Sequence, residues 1–494
     1  MKKLFSFLLF IFTSFSLLAQ SNPAKIYADQ ITQDDLKENL SIIASDALEG
    51  RETGKRGQKM AAAFIAAYFQ DLGLKGPVNG SHYQEVPLFA SSAPAVTLQS
   101  GKTAYTADEF VFFGNSDTPG LVTLPVVYIG KGSEEDLKNI PVKDKAVLIS
   151  VAPGVSLMNN PVTKAVREKG AKLVIVAMEG KEDFIRLSGM IKNFMGGRLS
   201  LKKEEGTGSS TFILTSERAA KIFNTTYDKL AKASAAGKVN KVKPGSVSYS
   251  VVTTSVEVKS ENILGFLEGT DKKDEVVVIT AHYDHIGISS GAEVDKINNG
   301  ADDDGSGTVS VLSLAKAFAQ AKMDGKGPRR SILFMTVTGE EKGLLGSEYY
   351  SEHPVFPLDK TVVDLNIDMI GRRDPEHKDS APYVYVIGSD KLSSELHILS
   401  EATNKANINL IFDYLYNAEE HPDRIYYRSD HWNFARKNIP IIFYFDGIHE
   451  DYHAPSDQID KIEFDLLAKR AQTVFYTAWE IANRENRLVV DKKK

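Results

Sequence analysis

The sequence contains no cysteine. It can therefore form no disulfide bond and offers no cysteine to a lipid anchor, so we expect stability to come from hydrophobic cores and any bound metals. It also lacks a long block of like charge, and its formal net charge is only −6. Because no basic stripe is present, we expect no nucleic-acid partner. A length of 494 residues predicts two or three folded units.

The N-terminus is the most apolar part of the chain. In MKKLFSFLLFIFTSFSLLAQSN, Lys2 and Lys3 precede an apolar run that ends at Leu18, and Ala19 follows it. This order of charge, short apolar segment and small residue is typical of a signal peptide, and the run is too short for a comfortable membrane span. We expect residues 1–19 to be a signal peptide, and the mature chain to be exported to the periplasm or beyond without a membrane anchor.

Alternation of strands and helices from residue 257 onward predicts an α/β fold with a mostly parallel sheet between helix layers. The continuous apolar run EVVVITA, residues 275–281, is typical of a strand that is covered on both faces. Residues 98–256 differ, with short strands, Gly and Ser turns and scattered lysines, and predict a smaller β-rich α+β unit. We therefore expect residues 20–97 and 257–494 to form the main domain, with 98–256 inserted in it. Residues from Thr32 to about Leu74 have a helical pattern.

Residues with metal-binding side chains follow the predicted strands of the main domain. They are His282-Tyr283-Asp284, Glu340-Glu341, Asp368 and His453, with Asp302 to Asp304 between the first two strands. Ligands in open α/β sheets bind beyond the carboxyl ends of the strands. Imidazole and carboxylate together suit zinc. The sequence therefore predicts a metal site at this edge of the sheet.

Each of these groups also has a purely structural explanation. A His-x-Asp pair is commonly a surface pair, and an acidic triplet is commonly a solvated loop. The triplet does not have the oxygen spacing of a calcium-binding EF-hand. Acidic residues after a strand can also begin a helix, where they favour the dipole. Their coincidence at successive strand ends is what favours a metal site.

The segment DGIHEDYHAPSD also matches the pattern H-E-x-x-H, through His449, Glu450 and His453. That pattern binds one zinc when both histidines lie on one face of a helix. Gly447 and Pro455 leave room for barely one helical turn here. We expect the match to be accidental and His453 to act as a single ligand on a loop.

Six motifs in one order carry a resemblance to a known family. They are AHYDH, NNGADDDGSG, TGEEKGLLGS, LNIDMIGR, RSDHWNF and DYHAPSDQID. The chain resembles the co-catalytic dizinc aminopeptidases, a family that includes bacterial leucyl aminopeptidases and glutamate carboxypeptidase II-type proteins. The resemblance covers about residues 30–90 and 258–485. It implies an exported metallo-exopeptidase, most directly an aminopeptidase acting on peptides, with two Zn²⁺ ions per chain.

The resemblance also implies a role for each matching residue. His282 and Asp368 should bind one zinc, Glu341 and His453 the other, and Asp303 should bridge the two. Glu340 should be the general base toward a zinc-bridging hydroxide, and Asp284 should orient His282 through its second ring nitrogen. Two metals about 3.5–4 Å apart clamp the attacking oxygen and the substrate carbonyl oxygen.

Other segments have less specific predictions. Residues 98–256 resemble the protease-associated insert, through PVKDKAVLISVAPG and KAVREKGAKLVIVAM. Arg372 and Arg373 are candidates to contact a substrate carboxylate, or belong to a surface turn. Ser429-Asp430-His431 is interpreted as fixing a loop, because no serine elbow motif accompanies it. His285 and His449 are expected to line the cleft without binding metal.

Three alternative functions share this scaffold. One is a carboxypeptidase or dipeptidase, which an arginine free to hold a carboxylate would favour. A glutaminyl cyclase would use one zinc, and a non-catalytic binding protein would be expected to have lost ligands or the base. The complete set of candidate residues argues against the last two. Residue preference, native metal and oligomeric state are not predicted by the sequence.

Overall fold

The computed structural model describes residues 23–492, apart from residues 119, 153, 155–159, 196–197, 204–206 and 290–293. The signal peptide predicted over residues 1–19 lies outside this described part. Two compact units are present. The first comprises the chain up to Glu85 together with the chain from Glu261 onward, and the second is Val86–Ser260. The second unit thus begins before residue 98 and ends after residue 256, the predicted bounds of the insert.

The described α-helices are α1 (Pro23–Ala28), α2 (Gln33–Ile43), α3 (Arg56–Asp71), α4 (Glu134–Asn139), α5 (Pro161–Glu168), α6 (Lys181–Met195), α7 (Ser216–Ala220), α8 (Tyr227–Ala235), α9 (Gly307–Met323), α10 (Leu345–Glu352), α11 (Ser394–Ala406), α12 (His431–Ala435) and α13 (Phe464–Asn483). The described strands are β1 (Tyr83–Ser91), β2 (Ala95–Ser100), β3 (Thr103–Tyr105), β4 (Phe110–Ser116), β5 (Val122–Tyr128), β6 (Ala146–Val151), β7 (Leu173–Met178), β8 (Arg198–Ser200), β9 (Thr207–Thr215), β10 (Gly245–Val252), β11 (Ser255–Leu267), β12 (Lys272–His282), β13 (Arg330–Val337), β14 (Thr361–Ile367), β15 (Tyr383–Ile387), β16 (Ile411–Asp413) and β17 (Ile441–Phe445).

The sheet of the first unit has a parallel centre. Its strand order is β16-β15-β17-β14-β12-β13-β11. β12 pairs in parallel with β13 and β14, and β14 pairs in parallel with β17. β11 and β15 are the antiparallel neighbours of β13 and β17. The four central strands therefore bring their carboxyl ends to one edge of the sheet, which is where open α/β sheets bind ligands.

Both faces of this sheet are covered by helices, so its strands alternate between two cores. Ile279 of β12 lies in the same core as Phe318 of α9 and Phe475 of α13. Its neighbour Val278 lies in the opposite core with Phe434 of α12. Alternation of side chains along a strand explains the split, and burial on both faces explains the unbroken apolar run. The predicted α/β class is confirmed.

The second unit has its own sheet and its own core. The strand order is β3-β2-β10-β5-β6-β7-β9-β4. β5, β6, β7 and β9 are parallel neighbours, and the flanking strands are antiparallel. This unit is rich in strands and contains helices, as predicted. Its relation to protease-associated inserts stays a prediction.

The helical pattern predicted from Thr32 to about Leu74 is interrupted in the structure. Helices α2 and α3 are separated by a 3-10 turn over Asp46–Arg51. Glu49 and Gly50 have left-handed backbone conformations there, with φ of 51° and 66°, which a continuous helix does not allow. The break falls in SDALEGRETGKR, where the apolar periodicity stops and Gly50 and Gly54 occur, so the sequence did contain a signal for it.

In residues 23–492, leaving aside the short gaps named above, no helix combines the length and hydrophobicity that crossing a membrane requires.

Replacing Phe318 tests the core beneath the sheet. Phe318 is fully buried on α9, and its ring centroid lies 4.6 Å from that of Phe475 and 5.7 Å from that of Trp479. We expect Phe318→Ala to lower the free energy of unfolding by about 3–5 kcal/mol, because it leaves a cavity. Met323→Ala, at the exposed end of the same helix, should change it by less than about 0.5 kcal/mol. Denaturant unfolding followed by circular dichroism measures both, and equal losses would contradict this core.

Candidate metal centre

Six predicted side chains meet at the carboxyl edge of the first unit's sheet. His282 is the last residue of β12, and Asp368 follows β14 directly. Glu340 and Glu341 come three and four residues after the end of β13, and His453 lies on the loop after β17. Asp303 lies in the turn before α9. Pairing of the parallel strands brings these loops together, although the residues span more than a third of the chain.

The side chains form two groups that share one carboxylate. In the first, His282 Nε2 lies 3.2 Å from Asp303 Oδ1 and 3.6 Å from Asp368 Oδ1. In the second, His453 Nε2 lies 3.2 Å from Asp303 Oδ2 and 3.1 Å from Glu341 Oε2. Each oxygen of Asp303 thus faces a different imidazole. A carboxylate placed in this way has the geometry of a bridge between two cations.

The donor atoms suit a divalent metal. His282, Asp303 and Asp368 are buried. Among the described residues, neither His282 Nε2 nor Asp303 Oδ2 has a hydrogen-bond partner of acceptable geometry. Buried polar atoms are rarely left in this state without an ion or water. Imidazole nitrogens and carboxylate oxygens are the ligands that zinc takes in proteins, so the residues present fit zinc.

Charge at the site favours a bound cation. Burial alone would raise the pKa of Asp303, but the nearby imidazoles of His282, His453 and His285 hold it well below its usual value. Burial alone would lower the pKa of His453, but the carboxylates of Asp303 and Glu341 raise it to about 10. The carboxylates therefore attract positive charge to the positions between them, whether a proton or a metal supplies it.

Glu340 lies beside the two groups. Its Oε2 is 3.9 Å from His282 Nε2, and its side chain is largely buried. Burial, with added repulsion from Glu341 and Asp368, raises its pKa well above the usual value for glutamate despite the attraction of His282. A carboxylate whose pKa is raised by its surroundings is suited to accept and return a proton near neutral pH.

Asp284 lies against the second ring nitrogen of His282 mainly through its main chain rather than its carboxylate. The carboxylate of Asp284 lies 3.8 Å from His282 Nδ1, whereas its main-chain carbonyl lies 3.0 Å away. Because a carbonyl only accepts, Nδ1 carries the proton and Nε2 is left free for a metal. The Asp284 carboxylate instead accepts hydrogen bonds from Thr53 Oγ1 at 2.6 Å and from the Glu340 backbone N–H at 3.2 Å. Asp284 thus positions both His282 and Glu340.

The three aspartates of the DDD triplet face different partners. Asp302 accepts from the Gly371 N–H and contacts His449 Nε2. Asp304 accepts from three backbone N–H groups, those of His282, Gly307 and Met369, at 2.9–3.1 Å. Although Asp304 lies close enough to His282 and Asp368 to be a possible ligand, its oxygens are already occupied. Only Asp303 presents its carboxylate to both imidazoles.

Sequence reasoning missed Arg51 as a residue of the site. Arg51 is fully buried and donates hydrogen bonds to the carbonyls of Ile43, Tyr283, Asn299 and Gly300 at 2.6–2.9 Å. It therefore ties the loop after β12 to the loop that carries Asp303. The segment ALEGRETG contains a signal of this close packing, namely Gly50. A Cβ atom at Gly50 would lie 2.5 Å from the Asn298 carbonyl oxygen, so only glycine fits there.

Asp457 is a second residue that was missed. Its buried carboxylate accepts hydrogen bonds from the backbone N–H groups of Asp302 and Asp303 at 3.0–3.2 Å. It lies four residues after His453, so the loop that carries one candidate ligand also holds the backbone of another. Asp457 belongs to the motif DYHAPSDQID, but nothing in its spacing indicates which backbone it contacts.

Arg372 and Arg373 are both engaged within the protein. Arg372 Nη2 lies 3.0 Å from Asp451 Oδ2, and Arg373 Nε lies 2.9 Å from Glu463 Oε2. The prediction that they lie in a surface turn is nearer to the structure, although Arg372 is mostly buried. With its charge already paired, Arg372 is a poor candidate to hold a substrate carboxylate.

Of the remaining predictions about histidines, one agrees with the structure and one does not. His449 and His453 do not share a helix, because residues 446–457 form turns, so the H-E-x-x-H match is accidental, as predicted. The expectation that His285 and His449 line the cleft is wrong, since both side chains are fully buried. His449 Nε2 contacts Asp302 Oδ2 at 3.1 Å inside the protein, and His285 Nδ1 lies 2.7 Å from Glu341 Oε1.

Ser429 contacts a candidate ligand, and among the described residues no basic side chain is recorded against its hydroxyl. Its hydroxyl donates to Asp368 Oδ2 at 2.6 Å and accepts from Asn366 Nδ2 at 2.8 Å. The first contact holds one oxygen of a candidate ligand in place. Asp368 Oδ1 remains directed toward His282.

The fold and the donor set define a zinc-dependent hydrolase on an α/β scaffold. Residues 262–478 match the sequence profile of peptidase family M28. This match covers the part of the chain that carries the candidate ligands, and together with its relatives it shows that the protein is a zinc metallopeptidase.

Related proteins agree with this assignment, and one solved structure shares the fold. Aminopeptidase YwaD of Bacillus subtilis is 25% identical over 520 aligned residues, which cover 100% of this chain and 97% of that protein. A probable zinc metalloprotease of Pyricularia oryzae is 24% identical, with 51% of this chain and 55% of that protein covered. An aminopeptidase structure from Aneurinibacillus sp. strain AM-1 has a similar fold, with a TM-score of 0.57, 20% identity and coverage of 95% and 98%.

His431 predicts a pH dependence of stability. Burial lowers the pKa of its imidazole to about 3, and Nε2 donates to the Tyr426 carbonyl. Because the unfolded chain binds this proton near pH 6.5, stability present above that pH is lost as the pH falls toward 3. Between pH 7.5 and 4.5 the loss is roughly 2–3 kcal/mol.

His431→Gln keeps an N–H donor but does not titrate in this range. The free energy of unfolding that this variant loses between pH 7.5 and 4.5 should therefore be smaller than the wild-type loss by roughly 2–3 kcal/mol. Denaturant unfolding of both metal-free proteins at the two pH values measures the difference. Equal losses would show that His431 is not buried in its neutral form.

Proposed function

We propose that this protein is an exported dizinc aminopeptidase that removes N-terminal residues from peptides. The observation that carries the proposal is the Asp303 carboxylate, whose two oxygens face His282 and His453. Because each oxygen faces its own imidazole, this carboxylate has the arrangement expected of a ligand shared by two ions. Export rests on the signal-peptide pattern of residues 1–19.

The proposed ligands divide between the two groups. His282 and Asp368 would hold one Zn²⁺, Glu341 and His453 the other, and Asp303 both. Three carboxylates balance most of the charge of two Zn²⁺ ions and leave a net charge near +1. When bound, the two ions would acidify the attacking water and polarise the peptide carbonyl.

The protein's own groups would move the proton. Glu340 would take it from the attacking water and deliver it to the leaving amine. Its backbone is fixed by the bond to Asp284, and its carboxylate lies at the border of both donor groups. Positioned acid–base groups of this kind contribute about 10²–10⁴-fold to rates.

Removal of residues from the amino end is supported by the relationship to aminopeptidase YwaD, which spans nearly all of both chains. The carboxypeptidase alternative needs a cation to hold the terminal carboxylate. Arg372, the candidate for that role, is paired with Asp451. We therefore place carboxypeptidase and dipeptidase activity second.

The metal content is the first test. We expect the mature protein to bind two equivalents of Zn²⁺, and Asp303→Ala to lose tight binding of both, because each group loses the shared ligand. Elemental analysis after gel filtration measures the stoichiometry. Asp302→Ala removes a neighbouring carboxylate that binds no metal in this proposal, and it should weaken binding less. One equivalent in the wild-type protein would contradict the dizinc proposal.

The end of the peptide that is cut is the second test. Peptides with a free amino terminus should be hydrolysed and their N-acetylated forms should not, as read from product masses. We expect Glu340→Gln to lower kcat by about 10²–10⁴-fold while it retains its zinc. Cleavage of the acetylated peptides from the carboxyl end would favour the carboxypeptidase instead.

A further inference from the structure

Asp368 and Glu341 each belong to one of the two groups, and their carboxylates are held in matching ways. Asp368 has one oxygen, Oδ1, facing His282, while its other oxygen, Oδ2, accepts the hydrogen bond of Ser429. Glu341 has one oxygen, Oε2, facing His453. Its other oxygen, Oε1, lies 2.7 Å from Nδ1 of His285. Each carboxylate thus has one oxygen for a metal and one against a buried donor.

His285 is held rigidly where it makes this contact. Its side chain is fully buried, and its backbone N–H donates to the Arg51 carbonyl. The loop at Gly300 packs directly on the ring, since a Cβ atom there would lie 2.6 Å from His285 Cδ2. The ring also contacts His453 edge to face, with centroids 5.8 Å apart. His285 Nδ1 and Glu341 Oε1 are within hydrogen-bonding distance, although the ring N–H is not aligned with Oε1 in this structure.

We infer that His285 is a positioning residue for the second metal: its Nδ1–H holds Oε1 of Glu341, so that only Oε2 is presented to the ion bound with His453. This inference rests on the dizinc proposal above. Ser429 has the corresponding position for the first metal, through Asp368. The two donors therefore act on different ions, although both lie outside the set of ligands.

The expected effect lies in metal affinity. A donor that fixes one oxygen of a carboxylate keeps the other in its binding orientation and removes the cost of ordering it when the metal binds. Loss of such partners typically lowers metal affinity by about 10–100-fold. We therefore expect two binding steps for Zn²⁺ in the wild-type protein, of which His285→Ala weakens one by that factor and leaves the other unchanged.

The experiment titrates metal-free protein with Zn²⁺ in the presence of a competing chelator, and follows the same steps with Co²⁺ by absorption. Ser429→Ala is the matched control and should weaken the step that His285→Ala spares. The double variant should weaken both. Because these readouts are binding constants and spectra, they do not depend on peptidase activity.

Two further variants separate the hydrogen bond from packing. The amide nitrogen of His285→Asn falls near the place of Nδ1 and should restore binding to within a few-fold of wild type. The amide of His285→Gln falls near Nε2 instead and should behave like His285→Ala. If His285→Ala does not fold, the comparison of His285→Asn with His285→Gln is sufficient to test the role of His285.

The outcomes are distinguishable from failure of the proposed function. A single binding step in the wild-type protein would overturn the dizinc proposal. Two steps in the wild type that both survive in His285→Ala and His285→Gln would overturn only the role of His285. Weakening of the same step by His285→Ala and Ser429→Ala would also overturn it, because the two donors would then serve one ion.

Discussion

Repulsion among buried carboxylates is the constraint on which the candidate metal centre of the first unit depends. Asp303, Glu340, Glu341 and Asp368 approach one another where little water can screen them. Such a group is stable only when positive charge or hydrogen-bond donors face each oxygen. Ser429 supplies such a donor to Asp368 Oδ2, whereas among the described residues Asp303 Oδ2 has no hydrogen-bond partner.

Two neighbouring carboxylates, those of Asp304 and Asp457, accept hydrogen bonds from backbone N–H groups. Asp304 and Asp457 accept N–H groups of the loops that carry His282, Asp303 and Met369. Arg51 performs the complementary task, because its guanidinium satisfies carbonyls of two of the same loops. A carboxylate or guanidinium that contacts a backbone fixes the path of a loop whatever side chains the loop carries. The ligand geometry is thus set by residues that never touch the substrate.

The sequence predicted the class of fold and the candidate ligands for a physical reason. Apolar runs such as that of β12 mark buried strands, and polar residues directly after them must lie at one sheet edge. The bounds of the inserted unit differ from the predicted ones, and the break between α2 and α3 was not predicted although Gly50 and Gly54 lie in it. Contacts to backbone atoms were not predictable at all. Arg51 and Asp457 act on residues more than 150 positions away through carbonyls and N–H groups, which every residue has.

The side chains of His282 and His453 differ in exposure, and this difference affects how fast an ion bound at each would exchange with solvent. The side chain of His282 is 1% exposed, whereas that of His453 is 37% exposed and lies on a turn with a left-handed backbone. Solvent reaches the half of the site at His453 and is excluded from the half at His282. If two ions bind as proposed, the ion at His453 would therefore exchange with bulk solution faster than its neighbour. The ion at His282 would stay bound with the fold, and the occupancy of the other position would follow the free zinc concentration around the protein.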